Sequence, residues 1–354
     1  MKHYAVIGLM SGTSLDGLDV AACIYQHDEN KWTFEVLEAQ TYKYDDAWTS
    51  RLQNADQLSG LDLAMLNVEL GALHGEWVKE FIDNSGFKAD FISSHGHTVF
   101  HQPERSLTLQ IGSPAHIAAT TRLPVVADFR TKDVALGGQG APLVPIGDRL
   151  LFGDYDFCLN LGGIANISYE MMNERLAFDI CPANMALNML AKQAGKTYDE
   201  GGQMAASGRL IPSLLDAFNA LEYYQADPPK SLGKEFFDGQ FFPIILSAMK
   251  QNIPLADILH TCTEHIAIQI SSVLDGWSGK LLCTGGGTWN DFLVERIKAH
   301  TSLEVIVPEE RIINFKEAII FGFLGVLCWR GEVNTLSSVT GAMQDSVGGV
   351  IVGG

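Results

Sequence analysis

Three glycine-bearing turns stand in this 354-residue chain where backbone amides could hold an anion: Gly12 to Gly17, Gly162 to Asn166, and Gly285 to Gly287. Glycine lets a backbone approach a ligand closely, and successive N–H groups form a concave nest for phosphate oxygens. One such turn is an ordinary feature of many folds. Three in this order, spread over both halves of the chain, point to a nucleotide held by main chain. The contacts expected are Gly12, Thr13, Ser14, Asp16 and Gly17 from the first turn, Gly162, Gly163 and Asn166 from the second, and Gly285, Gly286, Gly287 and Asn290 from the third. Neither Gly-x-x-x-x-Gly-Lys-Ser/Thr nor Gly-x-Gly-x-x-Gly occurs, so the P-loop and the dinucleotide fingerprint are not supported.

Carboxylates are the candidates for base and metal chemistry. Asp179 follows a short run of strand type and precedes Pro182 and a helical stretch from Asn184 to Ala194. Near a helix N-terminus the dipole favours an ionised carboxylate, which suits a general base. Asp128 ends another strand and is the second candidate. Asp16 lies in the first glycine turn and could hold magnesium through water, because hard cations on phosphates keep several waters. Arg130 could clamp a substrate carboxylate bidentately or form a surface ion pair. Glu317 opens a late apolar helix, where it faces a site or serves that helix's N-terminal charge preference.

The elements that must position these groups follow from periodicity and turn chemistry. Tyr4–Met10 reads as a buried strand, Ser11–Gly17 as a turn and Leu18–Tyr25 as a second strand. Leu63, Leu66, Leu70, Leu73, Trp77 and Phe81 step by three or four and mark one face of a long helix. Ser113-Pro114 reads as a helix start, and Pro124–Ala127 as a strand. Phe157–Leu161 and Ile167–Tyr169 flank the second glycine turn and repeat the N-terminal strand, turn, strand pattern, which predicts a duplicated architecture. Leu255, Leu259, Cys262, Ile266, Ile270 and Val273 form another helical stripe. Strand Lys280–Thr284 enters the third turn, and strand Glu304–Val307 and helix Lys316–Trp329 come last.

Length divides the chain into two lobes. The first is expected over residues 1–130 together with about 330–354, the second over 131–329. A formal charge of −18, from 24 Lys+Arg against 42 Asp+Glu, argues against nucleic acid and anionic lipid as partners. The six cysteines (Cys23, Cys158, Cys181, Cys262, Cys283 and Cys328) include no Cys-x-x-Cys pair and lie mostly in apolar runs, as expected of buried reduced thiols. The apolar stretch near the start ends in Ser-Gly-Thr-Ser without a small-residue cleavage site. The run Ala318–Trp329 is short for a bilayer. A cytoplasmic protein is the expectation.

The wording of the motifs adds a family. Met10-Ser-Gly-Thr-Ser-Leu-Asp-Gly17, Ser94-His-Gly-His-Thr98, Val126-Ala-Asp-Phe-Arg130, Gly137-Gly-Gln-Gly-Ala-Pro142, Asn160-Leu-Gly-Gly163, Phe178-Asp179, Gly285-Gly-Gly287 with Asn290, and Val339-Thr-Gly-Ala342 resemble the anhydro-N-acetylmuramic acid kinases from about residue 5 to the end. The resemblance implies an α/β, two-lobed, actin-like ATPase (ribonuclease H-like) fold with ATP and sugar in an interlobe cleft. It implies a coupled reaction: water opens the 1,6-anhydro bridge of 1,6-anhydro-N-acetylmuramic acid at C1 while O6 takes the γ-phosphoryl of Mg2+-bound ATP, giving N-acetylmuramic acid 6-phosphate for cell-wall recycling. Water attack needs a carboxylate, and phosphoryl transfer needs in-line alignment with metal-neutralised charge. The resemblance gives the base role to Asp179 and leaves Asp128 as the alternative. His95, His97, Thr98, Arg130 and Glu317 become sugar contacts, Arg130 for the lactyl carboxylate, and a homodimer is implied.

Two departures from the family pattern border the expected sugar site. Cys181-Pro-Ala-Asn184 replaces the usual Gly-Pro-Gly-Asn, and His97 stands where glutamine is usual. The alternative is therefore a related sugar kinase with a shifted substrate. A rival from another class is a metal-dependent hydrolase built on His95 and His97, with His101 nearby, because His-x-His is a common metal pair. A nucleotide-driven conformational protein related to chaperones or filament-forming actins is the third reading. ATP turnover that depends on a small sugar separates it from a kinase.

Overall fold

Strands β1 (Lys2–Ser11), β2 (Leu18–Asp28), β3 (Lys31–Tyr42), β4 (Phe91–Gln102), β5 (Leu107–Ile111), β6 (Val125–Ala127) and β12 (Val350–Val352) form one sheet in the order β12-β6-β4-β1-β2-β3, with β5 paired to β4. The computed structural model describes residues 2–12, 14–29 and 31–354. Thr13, expected to contact phosphate, lies outside the described residues. Val6, Ile7 and Leu9 of β1 are buried without alternation, as in a central strand covered on both faces. Strand β1 runs parallel to β4 and antiparallel to β2.

The second sheet consists of β7 (Phe157–Leu161), β8 (Ile164–Met171), β9 (Glu174–Pro182), β10 (Lys280–Thr284) and β11 (Glu304–Ile306), in the order β11-β10-β7-β8-β9. Three antiparallel strands precede parallel ones in both sheets: β3-β2-β1 then β4 and β6, and β9-β8-β7 then β10 and β11. This is the duplication expected from the repeated hairpin pattern, and it is the ribonuclease H-like α/β arrangement.

Each sheet belongs to a separate compact unit. One runs to Phe152 and resumes from Phe315 to Gly354, and the other is Gly153–Asn314. Residues 131–152 and 315–329, expected in the second lobe, thus sit with the first sheet. Packing explains the shift. Gly8 lies so close to helix Glu310–Arg330 that a Cβ there would be 2.0 Å from the Ala318 carbonyl oxygen. Tyr25 donates to the Ile319 carbonyl at 2.5 Å. Asp148 pairs with Lys316 at 2.7 Å in a nearly dry site, and Asp133 accepts from Thr340 Oγ1 at 2.8 Å.

That late helix has 21 residues and a mean hydropathy of 1.7 in its most apolar window, enough by length and composition to cross a membrane. Yet 72% of the window is buried within the protein, and Ala318, Ile319, Phe321, Phe323 and Leu324 are core residues. The helix is apolar all round because it is covered all round.

Helix Gly60–Ser85 carries the expected stripe, with Ser59 accepting from the Asp62 N–H and Gly86 closing the C-terminus in the left-handed region. Ser113 makes no capping bond, and its hydroxyl lies 2.8 Å from His116 Nδ1 instead. Strands β3 and β5 and the full length of β9 were not apparent from periodicity.

Candidate functional site

In the second unit, four polar residues fall into register across four adjacent strands. Thr284 on β10 pairs with Asn160 on β7, Asn160 with Asn166 on β8, and Asn166 with Asp179 on β9. Directly paired residues project to the same face of a sheet, so these side chains form one row that ends at Asp179. Thr284 is buried, whereas Asn160, Asn166 and Asp179 are half-buried. The row begins beside both glycine turns of this unit. Asn160 is absent from the expected contacts, although its place in Asn160-Leu-Gly-Gly163, one strand residue before the turn, marks it.

The turns are built for close approach from one side. Gly162 and Gly163 give their carbonyls to the N–H groups of Asn184, Ala183 and Met185 at 2.8–3.1 Å. Among the described residues their own N–H groups make no hydrogen bond outside the strand ladders. Gly163 and Gly286 are exposed. A Cβ on Gly286 would meet nothing nearer than Asn184 Nδ2 at 4.0 Å, whereas one on Gly287 would collide with the Leu161 carbonyl oxygen at 2.9 Å. Gly287 is thus a packing glycine, and Gly286 leaves an open surface. Asn290 Oδ1 accepts from the Leu293 N–H at 2.9 Å and caps helix Asp291–His300, so this carbonyl serves the fold.

Asp179 lies within β9, not at a helix N-terminus. Helix Asn184–Gln193 starts after it and makes no capping bond to it. The expected stabilisation by a helix dipole is therefore replaced by a different balance. Burial raises the carboxyl above its ordinary range, and the Leu232 N–H, 2.8 Å from Oδ2, works against that rise. A β-bulge leaves Ile180 unpaired between Asp179 and Cys181, and bulges of this kind re-aim the neighbouring side chain. Cys181 and Ala183, the two substitutions for glycine, are fully buried in the core, so neither side chain lines an open surface.

In the first unit, Arg130 is half-buried and fixed from two sides: Nε donates to His95 Nε2 at 2.9 Å, and Nη1 donates to the Gly140 carbonyl at 2.6 Å. The Gly140 loop is itself held by Asp133, whose Oδ2 accepts from the Gly140 N–H at 2.7 Å. Burial pulls Arg130 down to about 10, with Glu317 and Asp133 acting in the other direction. Arg130 Nη2 makes no hydrogen bond among the described residues, so one edge of the fork stays available. Glu317 keeps a path to solvent, but burial raises its carboxyl; Arg130 opposes that and the Asp19 carboxylate adds to it.

His95 has both ring nitrogens engaged, Nε2 with Arg130 and Nδ1 with the Gly96 carbonyl at 2.9 Å. It has no lone pair left for a metal, which removes the His95/His97 hydrolase. His97 is buried, its Nδ1 3.2 Å from Ser11 Oγ, and Ser11 continues through Tyr44 to His74 Nε2 with spacings of 2.9 and 2.8 Å. Thr98 Oγ1 accepts from Gln110 Nε2 at 3.3 Å.

Asp128 directly follows β6 with a φ of +61°, exposed, its Oδ1 3.4 Å from the Thr131 nitrogen. Ser14 and Asp16 are exposed on the first turn, and Gly12 is half-buried. The Asp16 charge helps raise Asp19, after burial, while a 2.6 Å bond from Thr41 restrains that rise. Among the described residues no three His, Cys, Asp or Glu side chains converge on a metal-sized point. A divalent cation at Asp16 would therefore bring phosphate and water as its remaining ligands, which fits magnesium.

A family profile described as "Anhydro-N-acetylmuramic acid kinase" matches residues 4–354. Curated relatives with that description include one from Francisella tularensis subsp. novicida, 35% identical and covering 98% of this chain and 97% of its own. Another from Sulfurovum sp. is 36% identical over 99% of this chain and 100% of its own. Similar solved structures include a ROK family glucokinase from Streptomyces griseus in complex with glucose and AMPPNP, with 12% identity, 90% and 98% coverage and a TM-score of 0.41. Component A of (R)-2-hydroxyglutaryl-CoA dehydratase from Acidaminococcus fermentans has 10% identity, 89% and 95% coverage and a TM-score of 0.47. The family match makes the chain an ATP-dependent sugar kinase, and duplicated α/β units with glycine turns after their first strands agree with that class. The relatives match from end to end. The chain belongs to the anhydro-N-acetylmuramic acid kinase family.

Proposed function

We propose that this protein hydrolyses the 1,6-anhydro bond of 1,6-anhydro-N-acetylmuramic acid and phosphorylates the O6 so released, giving N-acetylmuramic acid 6-phosphate and ADP. The observation that carries this reading is the row Asn160, Asn166, Asp179, which brings a half-buried carboxylate into line with the glycine turns of the same sheet. Asp179 takes one proton from water as the water oxygen bonds to C1. The C1–O6 bond breaks, and O6 accepts the γ-phosphoryl group. Asp179 then returns its proton to solvent. Asp128 is the alternative base.

The amides of Gly12, Ser14, Gly17, Gly162 and Gly163 would hold phosphate, with Thr13 as a further candidate, the Gly286 turn would lie against the adenosine, and Asp16 would hold Mg2+ through water. Magnesium supplies neutralisation of phosphate charge. Arg130 presents its unengaged edge to the lactyl carboxylate, with His95, His97, Thr98 and Glu317 around the sugar. Burial of Cys181 and Ala183 in the core supports the family's own sugar over a shifted one. Six cysteines without a disulfide and the use of ATP support a cytoplasmic location, and we take a homodimer as the assembly.

The test is transfer of labelled γ-phosphate to 1,6-anhydro-N-acetylmuramic acid, beside the analogue lacking the lactyl group. Efficient transfer to the first and weak transfer to the second is expected. No transfer to either would confine the protein to another sugar.

A further inference from the structure

Strand β9 is the last of its sheet, so the outward backbone groups of Asp179 have no strand to pair with. Segment 222–232 satisfies them instead. The Lys230 carbonyl accepts from the Asp179 N–H at 3.3 Å, and Tyr223 donates its hydroxyl to the Asp179 carbonyl at 2.6 Å. The Leu232 N–H reaches the side-chain Oδ2. Three groups of one short segment thus grip one residue at N–H, C=O and carboxylate.

The segment is fastened internally and at its base. Lys230 Nζ donates to the Tyr223 carbonyl at 3.2 Å and lies 4.8 Å from the centre of the Tyr223 ring. The neighbouring Tyr224 hydroxyl sits 3.0 Å from His265 Nε2, and Asn219 Oδ1 is 2.7 Å from His265 Nδ1. An acceptor at Nδ1 requires the proton there, so Tyr224 donates to Nε2. Tyr224 therefore anchors the segment to helix Leu255–Val273, and Tyr223 carries it onto Asp179.

We propose that Tyr223 is a positioning residue for the reaction: with the Leu232 N–H it fixes the aim of the Asp179 carboxylate, which makes segment 222–232 part of the catalytic apparatus although none of its side chains reacts. The inference rests on the reading of Asp179 as the base. One carboxylate oxygen is tied down by Leu232, which leaves Oδ1 to meet water. Small misplacements of a reacting group cost large factors in rate. The titratable groups that feel the Asp179 charge are Tyr223 and Cys181; Lys230 meets Asp179 through its backbone carbonyl, while its ammonium lies over the Tyr223 and Phe178 rings and answers to Asp227. A change that keeps the Tyr223 ring, and with it the burial of Asp179, but lets the Leu232 N–H withdraw leaves burial unopposed, so the carboxyl holds its proton to higher pH.

The experiment compares Tyr223→Phe with Tyr224→Phe in the full-length protein. Tyr223→Phe keeps the ring over which Lys230 lies and removes only the donor to Asp179. It is expected to lower kcat by roughly 10- to 100-fold, leave KM for ATP unchanged and move the acid limb of the kcat profile to higher pH. Tyr224→Phe, which frees the anchor but keeps the Tyr223 donor, is expected to lower the melting temperature and to change kcat and the acid limb far less than Tyr223→Phe does. Lys230→Met, which removes the fastening of Tyr223, should move kcat and the limb in the same direction as Tyr223→Phe and gives the same readout should that variant not fold. Tyr223→Phe with unaltered kcat and acid limb overturns the proposal, as does an equal kcat loss and limb shift in Tyr224→Phe. Asp179→Asn, measured alongside, separates the two readings. An inactive Asp179→Asn with an unaltered Tyr223→Phe overturns only the positioning role, and a near-normal Asp179→Asn overturns the base and this role together.

Discussion

Arg130 donates from Nε to His95 Nε2 at 2.9 Å, and that single contact fixes the proton of His95 on Nδ1, facing the Gly96 carbonyl. Burial and then the Arg130 charge hold His95 well below its ordinary range, so it stays neutral and holds the guanidinium. Lysine cannot reproduce this fork, since it has no planar pair of donors. Arg130→Lys is expected to raise KM for the sugar at least about tenfold, in line with loss of a bidentate charged contact, while KM for ATP is unchanged. Steady-state kinetics with both substrates checks it, and an unchanged sugar KM would remove Arg130 from the site.

General-base loss typically costs about 10²- to 10⁴-fold, and Asp179→Asn should fall in that range with ATP affinity within a few-fold. Asp128→Asn should be milder. Near-normal turnover by the first with an inactive second would move the base to Asp128.

Gly286 and Gly287 separate ligand binding from folding. A side chain on Gly286 meets open space and one on Gly287 meets the Leu161 backbone. Gly286→Val is expected to melt within a few degrees of the unmodified protein but to lose ATP affinity in calorimetry. Gly287→Val should lose melting temperature outright. Unchanged ATP binding by Gly286→Val would exclude this turn from the nucleotide site.

Burial lowers His74 and His265 from 6.5 to about 3 in the folded protein. The unfolded chain takes up these protons first as pH falls, so the stability from neutral imidazole is complete above about 6.5 and lost progressively towards 3. Each contributes a slope of about 1.4 kcal/mol per pH unit across that window. Asp179 and Glu317, whose carboxyls are raised, bind protons more readily folded than unfolded and offset part of the loss. Calorimetry between pH 7 and 4 should show melting temperature falling with pH, and less steeply in His265→Gln. An equal slope in that variant would deny His265 its share.

Lys316 and Asp148 form a pair with side chains 7% and 5% exposed, and Lys316 Nζ is 5.2 Å from the Phe152 ring centre. Removing one partner takes away the closest compensation of the buried charge that remains, at a cost of up to about 3–5 kcal/mol. Lys316→Met should therefore destabilise far more than the double variant Lys316→Met with Asp148→Leu. Denaturant unfolding of the three proteins checks this, and a double variant as unstable as the single one would mean that lost packing dominates.

Much of the frame was legible because its signals are local. The glycine turns, the stripe from Leu63 to Phe81 and the repeated hairpin each depend on a few neighbouring residues. Asp179 was legible as a candidate but not in its setting. Its neighbours suggested a helix end, while its ionisation is set by burial and by the Leu232 N–H 53 positions away, and its backbone carbonyl is held by Tyr223 44 positions away. The compact units divide the chain at other points than those expected, because Gly8 against Ala318, which ties the late helix to the first sheet, is a long-range contact. Asn160 stood in a quoted motif, but its alignment with Asn166 and Asp179 emerged only from strand pairing.

The covering of β9 also bears on how the chain keeps to itself. An outermost strand with vacant N–H and C=O groups is a template on which another molecule can add a strand, and proteins blunt such rims to avoid aggregation. Here the Lys230 carbonyl and the Tyr223 hydroxyl occupy those groups at Asp179 itself. The residue most needed for chemistry is thereby the one closed to a foreign strand, and a protein whose segment 222–232 were cut or unfolded would expose a self-adhesive rim at the same moment that it lost its carboxylate's aim.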